Sequence, residues 1–292
     1  MRVTIPVIRQ SKVANGTHKP LVMVTVYDYT FAKLAEAAGI DILLVGDSLG
    51  MVIQGQSSTL PVTLDEVIYH TRCVSRGASK ALVVADMPFL SYQISEVRAI
   101  EAAGRLIKEG GAEAVKLEGG EVIAPTVRRL VDLDIPVMGH IGMTPQSIHR
   151  MGGYKVQGRA SSHGAGSPEQ ILRDAKALEA AGAFCVVIEC VPQDLATTIT
   201  KELSIPTIGI GASSECDGQV LVSYDLLGFQ TSEHRPKFLK QFAQLGRAAI
   251  DTFATYADEV RKKTFPSAQE SYGDDGVTPG PSPAPKKRAS NG

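Results

Sequence analysis

The stretch Asp41-Ile42-Leu43-Leu44-Val45-Gly46-Asp47-Ser48 is a short apolar run that ends on two side chains able to do chemistry. An unbroken run of this length reads as a strand buried on both faces, as found in parallel sheets. The same grammar recurs along the chain. Leu21 to Tyr27 stops on Asp28, Ala81-Leu82-Val83-Val84-Ala85 on Asp86, and Ala114-Val115-Lys116-Leu117 on Glu118. Ile135-Pro136-Val137-Met138-Gly139 stops on His140, and Phe184-Cys185-Val186-Val187-Ile188 on Glu189. In a closed parallel barrel the carboxyl ends of all strands meet at one face, where catalytic groups are assembled. One acidic strand end is uninformative, but a repeated set predicts a catalytic mouth.

Between these runs the sequence reads as helix. The spacing predicts strands over 21–28, 41–47, 81–86, 114–118, 136–140, 184–189, 206–210 and 219–223. Helices are expected over 30–38, 64–77, 95–109, 121–132, from Ser167, over 193–203, and in 236–263. Thr63 and Glu66 have capping-box spacing, and Ser167-Pro168 supplies an N-cap followed by proline at the first helical position. Eight such units predict an α/β fold, a TIM (β/α)8 barrel, over residues 1–266 as one catalytic domain. A dinucleotide-binding open sheet would need a glycine-rich turn after the first strand. Asp28-Tyr29-Thr30 stands there instead. Residues 267–292 are rich in Pro, Gly, Ser and charge, and their composition predicts a disordered tail. The 144–167 stretch shows no clear element, carries several glycines with Arg150, Lys155 and Arg159, and reads as a lid over the mouth.

The composition narrows the function classes. With 43% hydrophobic and 21% charged residues, the 292-residue chain can build a large core. A net charge of -1 argues against a nucleic-acid binder. No apolar run reaches the roughly 18 residues that a membrane helix needs, and Met1 to Pro20 lacks the apolar centre of a secretory signal. Cys73, Cys185, Cys190 and Cys216 form no CxxC pair and are expected to be reduced thiols of a cytoplasmic protein.

The acids carry the chemical argument. Asp47, Asp86 and Glu118 end different strands, and carboxylates converging without enough basic partners hold a hard divalent cation. Each alone has a plainer reading, as a helix cap or a solvated loop acid. Lys116 lies two residues before Glu118, so both side chains point the same way. That lysine pairs with the nearby acids or with a bound substrate acid. Glu189, beside an apolar run, suits a general base. His140 is open to three readings: metal ligand, hydrogen-bond donor or packed core histidine. Gly209-Ile210-Gly211-Ala212 fits a phosphate cradle or, equally, a close-packed barrel rim.

The chain resembles the ketopantoate (3-methyl-2-oxobutanoate) hydroxymethyltransferase family over about residues 3 to 265. The resemblance rests on Thr25-Val26-Tyr27-Asp28, Val45-Gly46-Asp47-Ser48-Leu49-Gly50-Met51-Val52, Thr59-Leu60-Pro61-Val62-Thr63 and Ala85-Asp86-Met87-Pro88-Phe89. It continues through Val115-Lys116-Leu117-Glu118-Gly119-Gly120, the 139–146 and 152–159 segments, and Ile208-Gly209-Ile210-Gly211-Ala212. It implies transfer of a hydroxymethyl group from 5,10-methylenetetrahydrofolate to 3-methyl-2-oxobutanoate. The products would be 2-dehydropantoate, for pantothenate synthesis, and tetrahydrofolate. It further implies one Mg²⁺ per subunit on Asp47, Asp86 and Glu118, and a Mg²⁺-stabilised enolate. Asp47, Ser48, Asp86 and Lys116 would hold the keto acid, with His140 grouped among them, and Glu189 would be the base. The assembly implied is a homo-oligomer, a decamer in the family. Ser213 and Tyr224 depart from the family pattern, which has glycine and histidine at these places. A phosphoenolpyruvate-type mutase or lyase also matches the acids, but not the ordered motifs. A non-catalytic barrel that senses a metal–oxo-acid complex would be expected to lack the base.

Overall fold

The computed structural model describes residues 2–12, 19–229 and 236–272. Eight strands, β1 (Leu21–Thr25), β2 (Ile42–Val45), β3 (Leu82–Asp86), β4 (Ala114–Glu118), β5 (Val137–Gly142), β6 (Cys185–Glu189), β7 (Thr207–Ile210) and β8 (Gly218–Leu221), form a closed barrel in sequence order. Every neighbouring pair is parallel, and β1 closes onto β8. Alternate residues form two cores. Val24, Leu43, Val45, Val83, Val115 and Val186 face the surrounding helices. Met23, Leu44, Val84, Met138, Val187 and Ile208 fill the barrel interior. Fully burying a side chain of this kind contributes roughly 1.5–3 kcal/mol, which makes the double-sided apolar runs the main source of the barrel's stability.

A short helix, α1 (Ile5–Gln10), precedes the barrel and was not foreseen from the sequence. Its Ile8 is fully buried among interior residues at the strand starts, so the amino-terminal end of the barrel is stopped. Beside it the buried Lys12 Nζ lies 3.0 Å from Asp217 Oδ2 and donates to the carbonyl of Thr200. Asp217 Oδ2 also accepts from Thr207 N at 2.8 Å, so the buried charge pair is held by hydrogen bonds as well.

The helices that follow the strands are α2 (Tyr29–Ala37), α3 (Leu49–Val52), α4 (Leu64–Gly77), α5 (Glu96–Arg105), α6 (Ala124–Val131), α7 (Ile148–Met151), α8 (Pro168–Ala180), α9 (Gln193–Glu202) and, after β8, α10 (Ser223–Leu226). Capping sets several of their starts. The Thr63–Glu66 capping box opens α4, and Ser167 caps α8 with proline at its first turn. The helix expected over 95–109 changes pitch at Leu106, where a π turn runs to Gly110. Asp28 does not end a strand: β1 stops at Thr25, and the Asp28 carboxylate caps α2 by accepting from Phe31 N at 2.8 Å.

The expected helix over 236–263 is shorter, α11 (Leu245–Arg261), and lies outside the barrel. Of its residues only Gly246 is buried. Of the expected tail, residues 267–272 are exposed, and 273–292 lie outside the described residues. All four cysteines are free thiols.

Candidate active site

The strand register assembles the site. Asp86 on β3 is level with Lys116 on β4, and Glu118 is level with His140 on β5. All four occupy interior-facing positions at the carboxyl ends and are buried. Lys116 Nζ lies 2.8 Å from Asp86 Oδ1 and 3.3 Å from His140 Nδ1. His140 bridges two acids, with Nδ1 3.5 Å from Glu118 Oε1 and Nε2 3.1 Å from Glu189 Oε2 on β6. A continuous polar chain thus runs from Asp86 through Lys116 and His140 to Glu189. Glu189 does not stand in a purely apolar setting as its sequence suggested; it faces the imidazole.

Asp47 enters from the turn after β2. Its N–H donates to Asp86 Oδ2 at 3.0 Å, which ties the two acids together. Gly46 makes this possible: a Cβ there would come within 2.7 Å of Ser48 Oγ and 3.4 Å of Asp86 Oδ2. Ser48 is half-buried, and its hydroxyl pairs with the Tyr27 hydroxyl at 2.9 Å.

Sequence reading missed Gln146 and Tyr92, which organise this cluster. Gln146 Nε2 donates to Asp47 Oδ2 at 2.9 Å and to the Met87 carbonyl at 3.0 Å. Its Oε1 lies 2.9 Å from the Tyr92 hydroxyl and accepts from Gln93 Nε2 at 3.0 Å. Both atoms of the amide therefore have partners, and two acceptors beside Nε2 fix its orientation. The Gln146 N–H donates to Glu118 Oε2 at 2.9 Å, so one residue holds the acid of the turn after β2 and the acid that ends β4. The buried Tyr92 hydroxyl lies 2.8 Å from the Glu118 carbonyl and accepts from Glu118 N at 3.1 Å.

Burial and crowding set the electrostatics. Desolvation, then the neighbouring Asp86 and Glu118 charges, push Asp47 well above the usual carboxylate range. Burial also raises Asp86 in spite of Lys116. Burial opposes the Lys116 charge, but Asp86, Glu118 and Asp47 outweigh it and hold the ammonium form firmly. For Glu118 burial is overcome by its bond to His140, and its carboxyl falls below the usual range. Burial and Lys116 oppose protonation of His140, yet Glu118 and Glu189 raise it to about 9.

These groups bear on the expected metal. Among the described residues no three His, Cys, Asp or Glu side chains converge closely enough to hold an ion by themselves. The trio of Asp47, Asp86 and Glu118 is therefore not a closed cage. Glu118 already accepts from Gln146 N and turns toward His140. Asp47 and Asp86 are different. Asp86 Oδ1 is buried, stands at ion-pair distance from Lys116 but off the hydrogen-bonding line, and accepts no hydrogen bond among the described residues. Mg²⁺ takes only one or two carboxylates and fills its other positions with water and substrate, so this pair fits it.

The remaining expectations resolve by packing. The 144–167 stretch begins with a 3₁₀ turn (Pro145–Ser147) and α7, and then runs irregularly to about Gly164. The glycines in and just after β7 are explained by crowding: a Cβ on Gly211 would stand 2.7 Å from the Phe238 ring, and one on Gly209 would stand 3.0 Å from the Gln219 amide. Tyr224 joins an aromatic cluster, its ring centroid 5.9 Å from both Tyr27 and Phe31. The Ser213 hydroxyl pairs with Thr197 at 2.8 Å. No helix among the described residues is long and apolar enough to cross a membrane.

Residues 2–268 match the family model described as ketopantoate hydroxymethyltransferase. A 3-methyl-2-oxobutanoate hydroxymethyltransferase of Moorella thermoacetica is 55% identical over 271 residues, covering 93% of this chain and 98% of the relative. That of Heliobacterium modesticaldum is also 55% identical, over 94% of this chain and 96% of the relative. Among solved structures, 2,3-dimethylmalate lyase matches with a TM-score of 0.59 at 16% identity, over 92% of this chain and 88% of that one. Phosphonopyruvate hydrolase with oxalate and Mg²⁺ matches with a TM-score of 0.58 at 13% identity, over 92% and 93%. At such identities these two establish a shared fold and nothing finer.

Proposed function

The chain belongs to the ketopantoate hydroxymethyltransferase family, transferases that make ketopantoate from 3-methyl-2-oxobutanoate, and from that premise we propose how this site works and on what. The donor is 5,10-methylenetetrahydrofolate, and Mg²⁺ binds at Asp47 and Asp86, with Glu118 behind them. When bound there, the ion supplies Lewis-acid polarisation of the 2-oxo acid. Ser48 and Lys116 hold the keto acid, and the Lys116 ammonium balances the negative charge that develops when C3 loses its proton. Glu189 takes that proton. His140, wedged between Glu189 and Glu118, orients the base and keeps its carboxylate beside the substrate. The C3 carbon bonds to the folate methylene carbon as one of its two C–N bonds opens. Water then replaces the second C–N bond to supply the hydroxyl, and tetrahydrofolate leaves with the two protons, one from C3 and one from water, on its nitrogens. Exposed Lys155 and Arg159 on the loop after α7 suit the acidic tail of the donor. We further take the protein to be cytoplasmic and a homo-oligomer, the second reading supported by the uncovered apolar face of α11.

The observation that carries this reading is the chain Asp86–Lys116–His140–Glu189, buried except for its half-buried last member, which joins a charge-balancing cation to a carboxylate at the mouth. Its test is exchange of the keto acid's C3 proton with solvent, followed by turnover with and without methylenetetrahydrofolate. Glu189→Gln should slow exchange by about 10²–10⁴-fold while keto-acid binding survives. Exchange at the parent rate would remove Glu189 from the role. Turnover with formaldehyde but not with the folate would reject the donor.

A further inference from the structure

We propose that the ring of Tyr154, braced against Met51, is the platform on which the planar ring of the one-carbon donor stacks. The inference rests on the folate-donor reading above and adds a binding surface for it. A carbon nucleophile formed at the strand ends must meet its electrophile on the open side, because α1 stops the other end of the barrel. Two segments meet over that open side. The loop after α7 brings Tyr154, and α3 brings Met51, with Tyr154 Oη 3.3 Å from Met51 Sδ. The contact joins segments that follow β5 and β2.

The ring has room to receive a partner. Tyr154 is 52% exposed and Met51 36%, with Val156 at 38% on the same loop and Ile53 at 39% beside Met51. A tyrosine hydroxyl fastened at its tip leaves a fixed aromatic face, and such faces favour offset stacking of flat heterocycles. Burial first, then the charges of Glu189, Asp47 and Glu118, raise the Tyr154 hydroxyl. The loop is pinned close to the base: Gln157 N donates to the Cys190 carbonyl at 2.9 Å, one residue after Glu189, and Gly158 N donates to Gly166 O at 2.8 Å. Lys155 and Arg159 follow the ring in sequence, are exposed, and form no ion pair among the described residues. A flat ring carrying an acidic tail matches an aromatic face followed by two free cations.

The experiment uses the full chain with Mg²⁺. Steady-state constants for both substrates are measured, and tetrahydrofolate is titrated calorimetrically. Tyr154→Ala should raise the donor KM and the tetrahydrofolate Kd about tenfold, with the keto-acid KM moving less than about twofold. Tyr154→Phe keeps the ring and should stay within about threefold of the parent. The effect should not depend on salt, whereas alanine at Lys155 and Arg159 together should raise the donor KM mainly at low ionic strength. If the parent turns over with methylenetetrahydrofolate but Tyr154→Ala leaves both donor constants unchanged, the platform is rejected and the donor reading stands. A rise confined to the keto-acid KM would also reject it and assign the ring to the other substrate. A parent that cannot use the folate at all overturns both.

Discussion

Gln146 has the structural part of an active-site residue without bearing a charge. Its amide fixes one oxygen of Asp47, and its backbone N–H fixes one oxygen of Glu118. Both acids are thereby aimed before any substrate arrives, which is how preorganised sites avoid a reorganisation cost. Gln146→Leu should therefore raise the Mg²⁺ concentration needed for half-maximal turnover about tenfold or more, since hydrogen bonds to charged groups contribute about 1.5–3 kcal/mol. A direct titration with Mn²⁺ checks this without relying on turnover. A lower melting temperature with an unchanged metal requirement would reduce Gln146 to packing. At this scale the sequence was legible where a residue ends a strand: Asp86, Glu118, His140 and Glu189 all stand at carboxyl ends. Gln146 was not legible, because it sits in a stretch without periodicity, and only the structure reveals what its amide touches. Asp28 misled for a related reason. A cap and a strand end look alike in sequence, and φ/ψ alone separates them.

Local chemistry decided the elements most clearly at their starts. Thr63–Glu66 and Ser167-Pro168 were readable because capping depends on residues a few positions apart. The π turn after α5 and the plug α1 were not, since both depend on packing against distant residues. One long-range fastening leads to a pH prediction. Glu36 on α2 accepts from Ser79 N, Ser79 Oγ, Lys80 N and Ala81 N, so it clasps the loop that enters β3. Glu179 on α8 does the same for the loop entering β7, accepting from Ser204 and Ile205. Slight burial of Glu36 opposes its charge, but the four hydrogen bonds lower it to about 2. A depressed carboxyl stabilises the fold above its unfolded value of about 4.3, and the contribution fades as pH falls from there toward the folded value. Glu36→Gln should cost about 1 kcal/mol at neutral pH, a figure discounted for solvent. The melting-temperature gap from the parent should narrow near pH 3 (below the unfolded value of about 4.3). A gap that held constant with pH would mean that the clasp works without its charge.

Whole-molecule architecture was legible to the extent that it follows from counting. Eight apolar runs with helices between them specify a closed barrel, and closure brings their ends together whatever the loops do. Association was not legible, because it depends on which helical faces remain uncovered. Helix α11 leaves Phe253 71% exposed, with Ile250 and Tyr256 about half exposed on the same helix. For the homo-oligomer proposed above, that face is the expected contact between copies. Phe253→Glu should shift the protein to a smaller species in sedimentation velocity, with the barrel's circular dichroism retained. An unchanged sedimentation coefficient would place the contact elsewhere. The pairing of β1 with β8 has one more effect. A sheet that closes on itself offers no free edge, so strand-by-strand addition, the usual route to fibrils and swapped sheets, has no foothold. Contact between copies is then left to exposed side chains outside the sheet, such as Phe253 on α11, the kind of contact that one substitution can undo.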